Sequence, residues 1–254
     1  MLKHLFFLIY AIICYIVFLG TFLYAVGFVG GFLVPTQLDF PSRDALPVAA
    51  CIDAGLLALF ALQHSIMARK WFKERWTQIV PWAIERSTYV LCASLALLIL
   101  FWQWHPIGVS VWTVDGPRAR LAIWVACAVG WGTVLAMTFY ISHFDLFGLR
   151  QVWLPFRGRP YVPVSFRTPL PYRFVRHPLY LGFLVAFWAT PHMTLAHLIF
   201  AAATTGYILV AIQLEERDLI REHGSRYTTY RRAVPMLIPR LFRRTTEDSP
   251  VAGS

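Results

Sequence analysis

Apolar runs of membrane-crossing length dominate this chain. The hydrocarbon core of a bilayer is about 30 Å thick, so a spanning helix needs roughly 20 apolar residues. Four segments reach that scale before residue 145: residues 5–34, ending at Pro35; 46–67; 88–104, ending near Pro106; and 121–141. A further apolar region, 179–214, is broken by "TPHMT" at 190–194. With 58% of 254 residues hydrophobic, the expected fold is an all-α polytopic membrane helix bundle. It should have about five to six transmembrane helices and a broken C-terminal hairpin.

Arginines and lysines orient such a bundle, because they collect on the cytoplasmic side. Arg69, Lys70, Lys73, Arg75 and Arg86 follow the second run, and Arg150, Arg157, Arg159, Arg167, Arg173 and Arg176 follow the fourth. Both stretches are therefore expected in the cytoplasm, together with the two chain termini. The first run, which starts behind Lys3, is too long for a secretory signal and lacks a small-x-small cleavage site, so it reads as a retained span. The expected division is a four-span bundle over 1–145, a core carrying the chemistry over 146–240, and a polar, aperiodic, disordered tail over 241–254.

A net charge of +10 invites a nucleic-acid reading, but the arginines sit between apolar segments and form no basic stripe with exposed aromatics. No nucleic-acid partner is expected; the lipid bilayer is. Cys14, Cys51, Cys92 and Cys127 fall in different apolar segments, without the spacing of a metal or redox motif. His192 and His197 are five apart, which aligns two ligands poorly on one helix, so no metal is expected.

The two arms of the broken region are unequal. At 1.5 Å per residue, residues 179–190 reach about 18 Å and residues 193–214 about 33 Å. If they pair with the basic C-terminal part in the cytoplasm, the short arm either stops midway or begins below the membrane surface. The second option puts "RHPLYLG", residues 176–182, in a recess walled by neighbouring helices.

That motif carries chemistry. Pro178 suits the first helical position, where its missing N–H costs nothing. Arg176 and His177 then stand at a helix mouth whose free amides favour an anion such as a carboxylate. Tyr180 lies on the face of His177, and Gly182 leaves room for a ligand or another backbone. Arginine and histidine snorkelling to lipid phosphates is the plainer alternative.

Glu215 and Glu216 adjoin the cytoplasmic end of the long arm, where ionisable groups normally face a cavity or a partner. Adjacent helical side chains point about 100° apart, so only one enters a given site; Arg173, Arg176 or Arg217 can pair with the other. Tyr227 and Tyr230 share a face further on, either at a site or at the headgroup level of a surface helix. His143 and Asp145, with Arg150 and Gln151, end the fourth run, and Gln63, His64 and Ser65 end the second. Each of these sets alone also fits a helix cap or a satisfied buried histidine.

Arg-His-Pro-x-Tyr-x-Gly at 176–182, the broken hairpin, Glu215-Glu216, Gly224, Tyr227-x-x-Tyr230, and Val234-Pro235 up to Ile238-Pro239 together resemble the isoprenylcysteine carboxyl methyltransferase superfamily of membrane enzymes. "LQHSIMAR", "HFDLFGLRQV", "PYRFVRHPLYLGFLVAFWATPHMTLAHL" and "VPMLIP" look like its bacterial methanethiol S-methyltransferase branch and NnrU-like relatives. The resemblance implies methyl transfer from S-adenosylmethionine to methanethiol, a small volatile thiol, giving dimethyl sulfide.

Under that resemblance the donor is expected to bind at Arg176, His177, Pro178, Tyr180, Leu181, Gly182, Glu215, Glu216, Tyr227 and Tyr230. These supply an anion receptor, acceptors for amino and hydroxyl groups, and aromatic faces for a cation. A thiolate, not a thiol, is the nucleophile, so His143 or His64 is the expected base, with Asp145 orienting. A prenylated peptide or phospholipid acceptor, or a non-enzymatic role in handling haem or a solute, is the competing reading.

Overall fold

The computed structural model describes residues 2–41, 44–164 and 168–239. The tail expected over 241–254, and Arg167, lie outside them. Among the described residues, five helices are long and apolar enough to cross a membrane: α1 (Leu2–Gly30), α2 (Leu46–Ala68), α4 (Trp82–Gln103), α5 (Pro117–Ile141) and α9 (Leu195–His223). The chain is an all-α integral membrane protein, as expected.

Boundaries moved where local chemistry overrides hydropathy. Helix α1 stops at Gly30 instead of running to residue 34, because Phe32 N–H turns back to Gly27 O at 3.1 Å and Leu38 N–H to Phe28 O at 3.1 Å. Helix α4 starts at Trp82, right after Pro81, so Glu85 and Ser87 are buried inside it. Between α2 and α4 lies α3 (Lys70–Trp76), and beyond α5 come the short α6 (His143–Leu146) and α7 (Leu149–Phe156).

The break at 190–194 is a strand. β1 (Ser110–Thr113) and β2 (His192–Thr194) pair antiparallel, with Ser110 opposite Thr194 and Thr113 opposite His192. This small sheet joins the turn between α4 and α5 to the turn before α9, and it marks one face of the bundle. The arginine-rich segments lie at the opposite, basic face.

Helix α8 (Pro178–Trp188) is the short arm, 11 residues long, or about 16 Å at 1.5 Å per residue. It packs mainly on α5 and only lightly on α9. Gly130 and Gly182 make that contact: a Cβ on Gly130 would lie 2.6 Å from Ala186 N, and one on Gly182 would lie 2.9 Å from Gly130 O. Neither position tolerates a side chain without parting the helices. The room left by Gly182 is taken by the α5 backbone, and by Val134 beside it, the second of the two occupants expected of it.

One apolar cluster, with Phe28, Leu100, Trp104, Trp131, Phe187 and Phe200, fills the half nearest the sheet and joins α1, α4, α5, α8 and α9. Helix α8 ends at the sheet face and is far shorter than the spanning helices, so its N-terminus stops short of the ends they reach. A second cluster of Ile208, Ile212 and Leu237, with Leu181 packed on it, closes α8 against α9 and the C-terminal segment. Leu181 is therefore apolar packing. Past Gly224 the chain forms α10 (Ser225–Ala233) and returns across the N-terminus of α8.

Candidate active site

His177 and Pro178 start α8, and no described side chain caps it. Leu181 N–H is the first to bond within the helix, to His177 O at 3.0 Å. Proline has no N–H, so the amides of Leu179 and Tyr180 are the open donors of this mouth, where the helix dipole is positive. The segment after α10 straps the mouth from outside. Arg176 N–H donates to Pro235 O at 2.8 Å and His177 N–H to Met236 O at 3.2 Å.

Glu216 is the centre of the charges. Its side chain is 2% exposed and accepts from Arg176 Nε at 2.7 Å and from His177 Nε2 at 3.1 Å, both on Oε1. Arg231 Nε stands 2.9 Å from the other oxygen, an ion pair whose N–H is not aligned as a hydrogen bond. A buried carboxylate needs such company, because desolvation otherwise outweighs its attractions. Arg176 also donates through Nη1 to Arg231 O at 3.0 Å and to Val234 O. Much of its donor capacity is thus spent on the protein.

Glu215 is different. Its side chain is 47% exposed and accepts from Tyr180 Oη at 3.0 Å, with His177 Nδ1 at 4.0 Å. The pair expected to diverge does so: Glu216 turns inward to the cations and Glu215 outward along α8. Tyr227 is buried and Tyr230 donates to Tyr172 O at 2.7 Å, their rings 5.8 Å apart. Burial pushes the Tyr230 phenol up to about 12 and raises Tyr227 as well. Both are neutral hydroxyls at physiological pH.

Arg176, His177, Tyr180, Glu215, Glu216, Tyr227 and Tyr230 therefore gather at one place. The strap of Val234, Pro235 and Met236, together with Arg231 and Tyr172, was not foreseen as structure. "VPMLIP" signalled it only as a motif, since nothing local says where an irregular segment returns.

The expected bases lie apart from that cluster. His143 is buried in an aromatic box, its ring stacked on Phe139 at 4.1 Å and met edge-on by Phe144, Phe147 and Tyr15. Thr138 donates its hydroxyl hydrogen to Leu135 O at 2.6 Å, so its oxygen accepts from His143 Nδ1 at 2.7 Å. Nε2 is then the acceptor, and Tyr15 Oη donates to it at 2.8 Å. Burial holds this imidazole below its ordinary range. Asp145 is not its partner; that carboxylate takes Arg150 at 3.3 Å, because α6 turns it toward α7. His64 touches Tyr89 Oη at about 3 Å, and the next residue, Ser65, meets Tyr207 of α9 at 3.2 Å.

Two hollows open elsewhere. One of about 230 Å³ is lined by Trp153, Leu154, Arg157 and Arg159, and one of about 240 Å³ by Thr113, Val114, Arg120, Pro191 and His192. At the mouth of α8, the strap bonds to the backbone of Arg176 and His177. Among the described residues no group of three or more His, Cys, Asp or Glu could hold a metal ion.

No family model and no solved structure matches the chain. Over 94% of its length it is 56% identical to the methanethiol S-methyltransferase of Crocosphaera subtropica, covering 93% of that protein. The methanethiol S-methyltransferase of Mycobacterium tuberculosis is 53% identical over 91% of this chain and 95% of its own. Nurim of Xenopus laevis is 32% identical over 66% of this chain and 61% of its own.

Proposed function

The chain belongs to the methanethiol S-methyltransferase family, and on that premise we propose that it methylates methanethiol from S-adenosylmethionine, releasing dimethyl sulfide and S-adenosylhomocysteine. The observation that carries this reading is the sunken, uncapped mouth of α8 with Glu215 and Glu216 beside it. A zwitterionic donor needs an anion receptor and a carboxylate within a few ångströms of each other, and this place offers both.

The amides of Leu179 and Tyr180 receive the donor carboxylate. Glu215, the freer glutamate, accepts from the amino group or the ribose hydroxyls, with Tyr180 fixing its direction. Glu216 works through its partners: it holds Arg176, His177 and Arg231 in place and offsets their charge. Tyr227 and Tyr230 flank the sulfonium and the base. Because the strap of Val234–Met236 crosses the mouth, admitting a nucleoside requires it to lift, and its return excludes water.

The donor supplies a methyl group already activated on a sulfonium. The thiol loses its proton to the protein, its sulfur bonds to the methyl carbon, and the old carbon–sulfur bond breaks with its electron pair leaving on S-adenosylhomocysteine. Holding the three atoms in line supplies much of the acceleration. His64 is the better placed base, since Ser65 beside it meets Tyr207, which shares a face of α9 with Glu215 two turns on. His143 accepts a proton only by way of Tyr15.

On this reading the donor site lies in residues 146–240 and the spans of 1–145 shape the acceptor side. The same reading puts the protein in the bacterial inner membrane with both ends cytoplasmic, an orientation its basic face supports. The test is headspace analysis of purified protein in vesicles supplied with S-adenosylmethionine and methanethiol. Dimethyl sulfide supports the reading; folded protein that binds S-adenosylhomocysteine yet yields none overturns it.

A further inference from the structure

Helix α7 lies across the ends of α1 and α4 at the basic face. Its Val152 is buried with Phe7, Ala11 and Ile84, while Trp153 on its other side is exposed. A helix that buries one side in the bundle and turns an indole and arginines outward belongs at the headgroup level of a bilayer.

The end of this helix is built, not frayed. Gly158 has φ of +68°, a left-handed conformation that costs a residue with a Cβ. Its N–H bonds to Pro155 O at 3.0 Å, and Arg159 N–H bonds to Leu154 O at 2.9 Å. These two bonds are the Schellman closure of a helix C-terminus. The closure folds Arg159 back beside Leu154, and Arg157 lies 5.8 Å over the Trp153 ring. Together these four residues line the hollow of about 230 Å³, and no carboxylate is among them.

Two arginines on a hollow that Trp153 and Leu154 also line match one chemistry. Their forked N–H groups suit the oxygens of a phosphate, and Trp153 and Leu154 suit the glycerol and the roots of acyl chains. We propose that the closed end of α7 binds the phosphate of an anionic phospholipid of the bilayer it sits in. The site is separate from the mouth of α8 and does not depend on the reaction assigned there.

The test is native mass spectrometry of the full chain released from vesicles of phosphatidylglycerol mixed with phosphatidylcholine. The wild type should retain phosphatidylglycerol over phosphatidylcholine. R157Q/R159Q should retain about tenfold less of it, as expected for losing two cationic contacts near a membrane surface. Gly158→Val keeps both charges and breaks the closure, and it should lose as much; normal elution and helicity certify that each variant is folded. Retention equal for the two lipids, or a Gly158→Val protein that binds like wild type, overturns the site. Displacement of the lipid by millimolar inorganic phosphate assigns the hollow to free phosphate and overturns the lipid.

Discussion

The backbone oxygen of Phe187 lies 2.9 Å from Nε2 of His197. A carbonyl only accepts, so Nε2 carries a hydrogen. Nδ1 faces Asp39 Oδ2 at 2.8 Å, and the other oxygen of Asp39 accepts from Thr194 Oγ1 at 2.7 Å. His197, fully buried, therefore ties the end of α8 to Asp39 through both ring nitrogens. It satisfies an orphan carbonyl of the last turn of α8.

Removing that ring should loosen the helix that builds the donor site at its far end. His197→Ala leaves Asp39 Oδ2 and Phe187 O without a partner and should cost about 3 kcal/mol. The thermal midpoint of the purified protein in detergent measures this, and an unchanged midpoint would contradict it.

The two neighbouring glutamates should separate by phenotype. Glu216→Gln strips Arg176 and Arg231 of their counter-charge at a buried position and should destabilise the fold by about 3 kcal/mol. Glu215→Gln alters a half-exposed group with one hydroxyl partner, so stability should stay within about 0.5 kcal/mol. Donor KM should instead rise about tenfold, the equivalent of roughly 1.4 kcal/mol. Unfolding midpoints and KM for S-adenosylmethionine, measured side by side, decide it.

This divergence was legible in the sequence as two adjacent side chains on one helix, but not which of the two turned inward. The choice is made by Arg231 and by the return of Val234–Met236, and neither leaves a periodic trace. The spans were legible because hydropathy and the basic residues that follow them are strong, additive signals. The strand pair at 110–113 and 192–194 was hidden, since three or four residues carry too short an alternation to read. Gly182 was ambiguous for a related reason: a glycine shows that something comes close and not what, and here it is the backbone at Gly130.

His143 gives the pH prediction. Burial lowers its pKa in the fold, so below the ordinary imidazole value of about 6.5 the unfolded chain takes up a proton that the folded chain resists. The neutral ring costs nothing above that range, and stability falls as pH drops through it. His143→Gln should flatten this dependence between about pH 7.5 and 5. Denaturant midpoints at the two ends give the comparison, and an unaltered slope would rule His143 out as its source.

An 11-residue α8 leaves roughly half the hydrocarbon thickness beneath it without a helix. Irregular backbone leading into Arg176, and the chain from Val234 to Pro239, lie at that depth, where bare peptide groups cannot face acyl chains. On the proposed orientation the leaflet beside this face has to thin, leaving a wet notch in which lipid tails are shortest. On the proposed reading, a gas-like acceptor dissolved in the bilayer and a charged donor from the aqueous side would meet there without either crossing into the other's solvent.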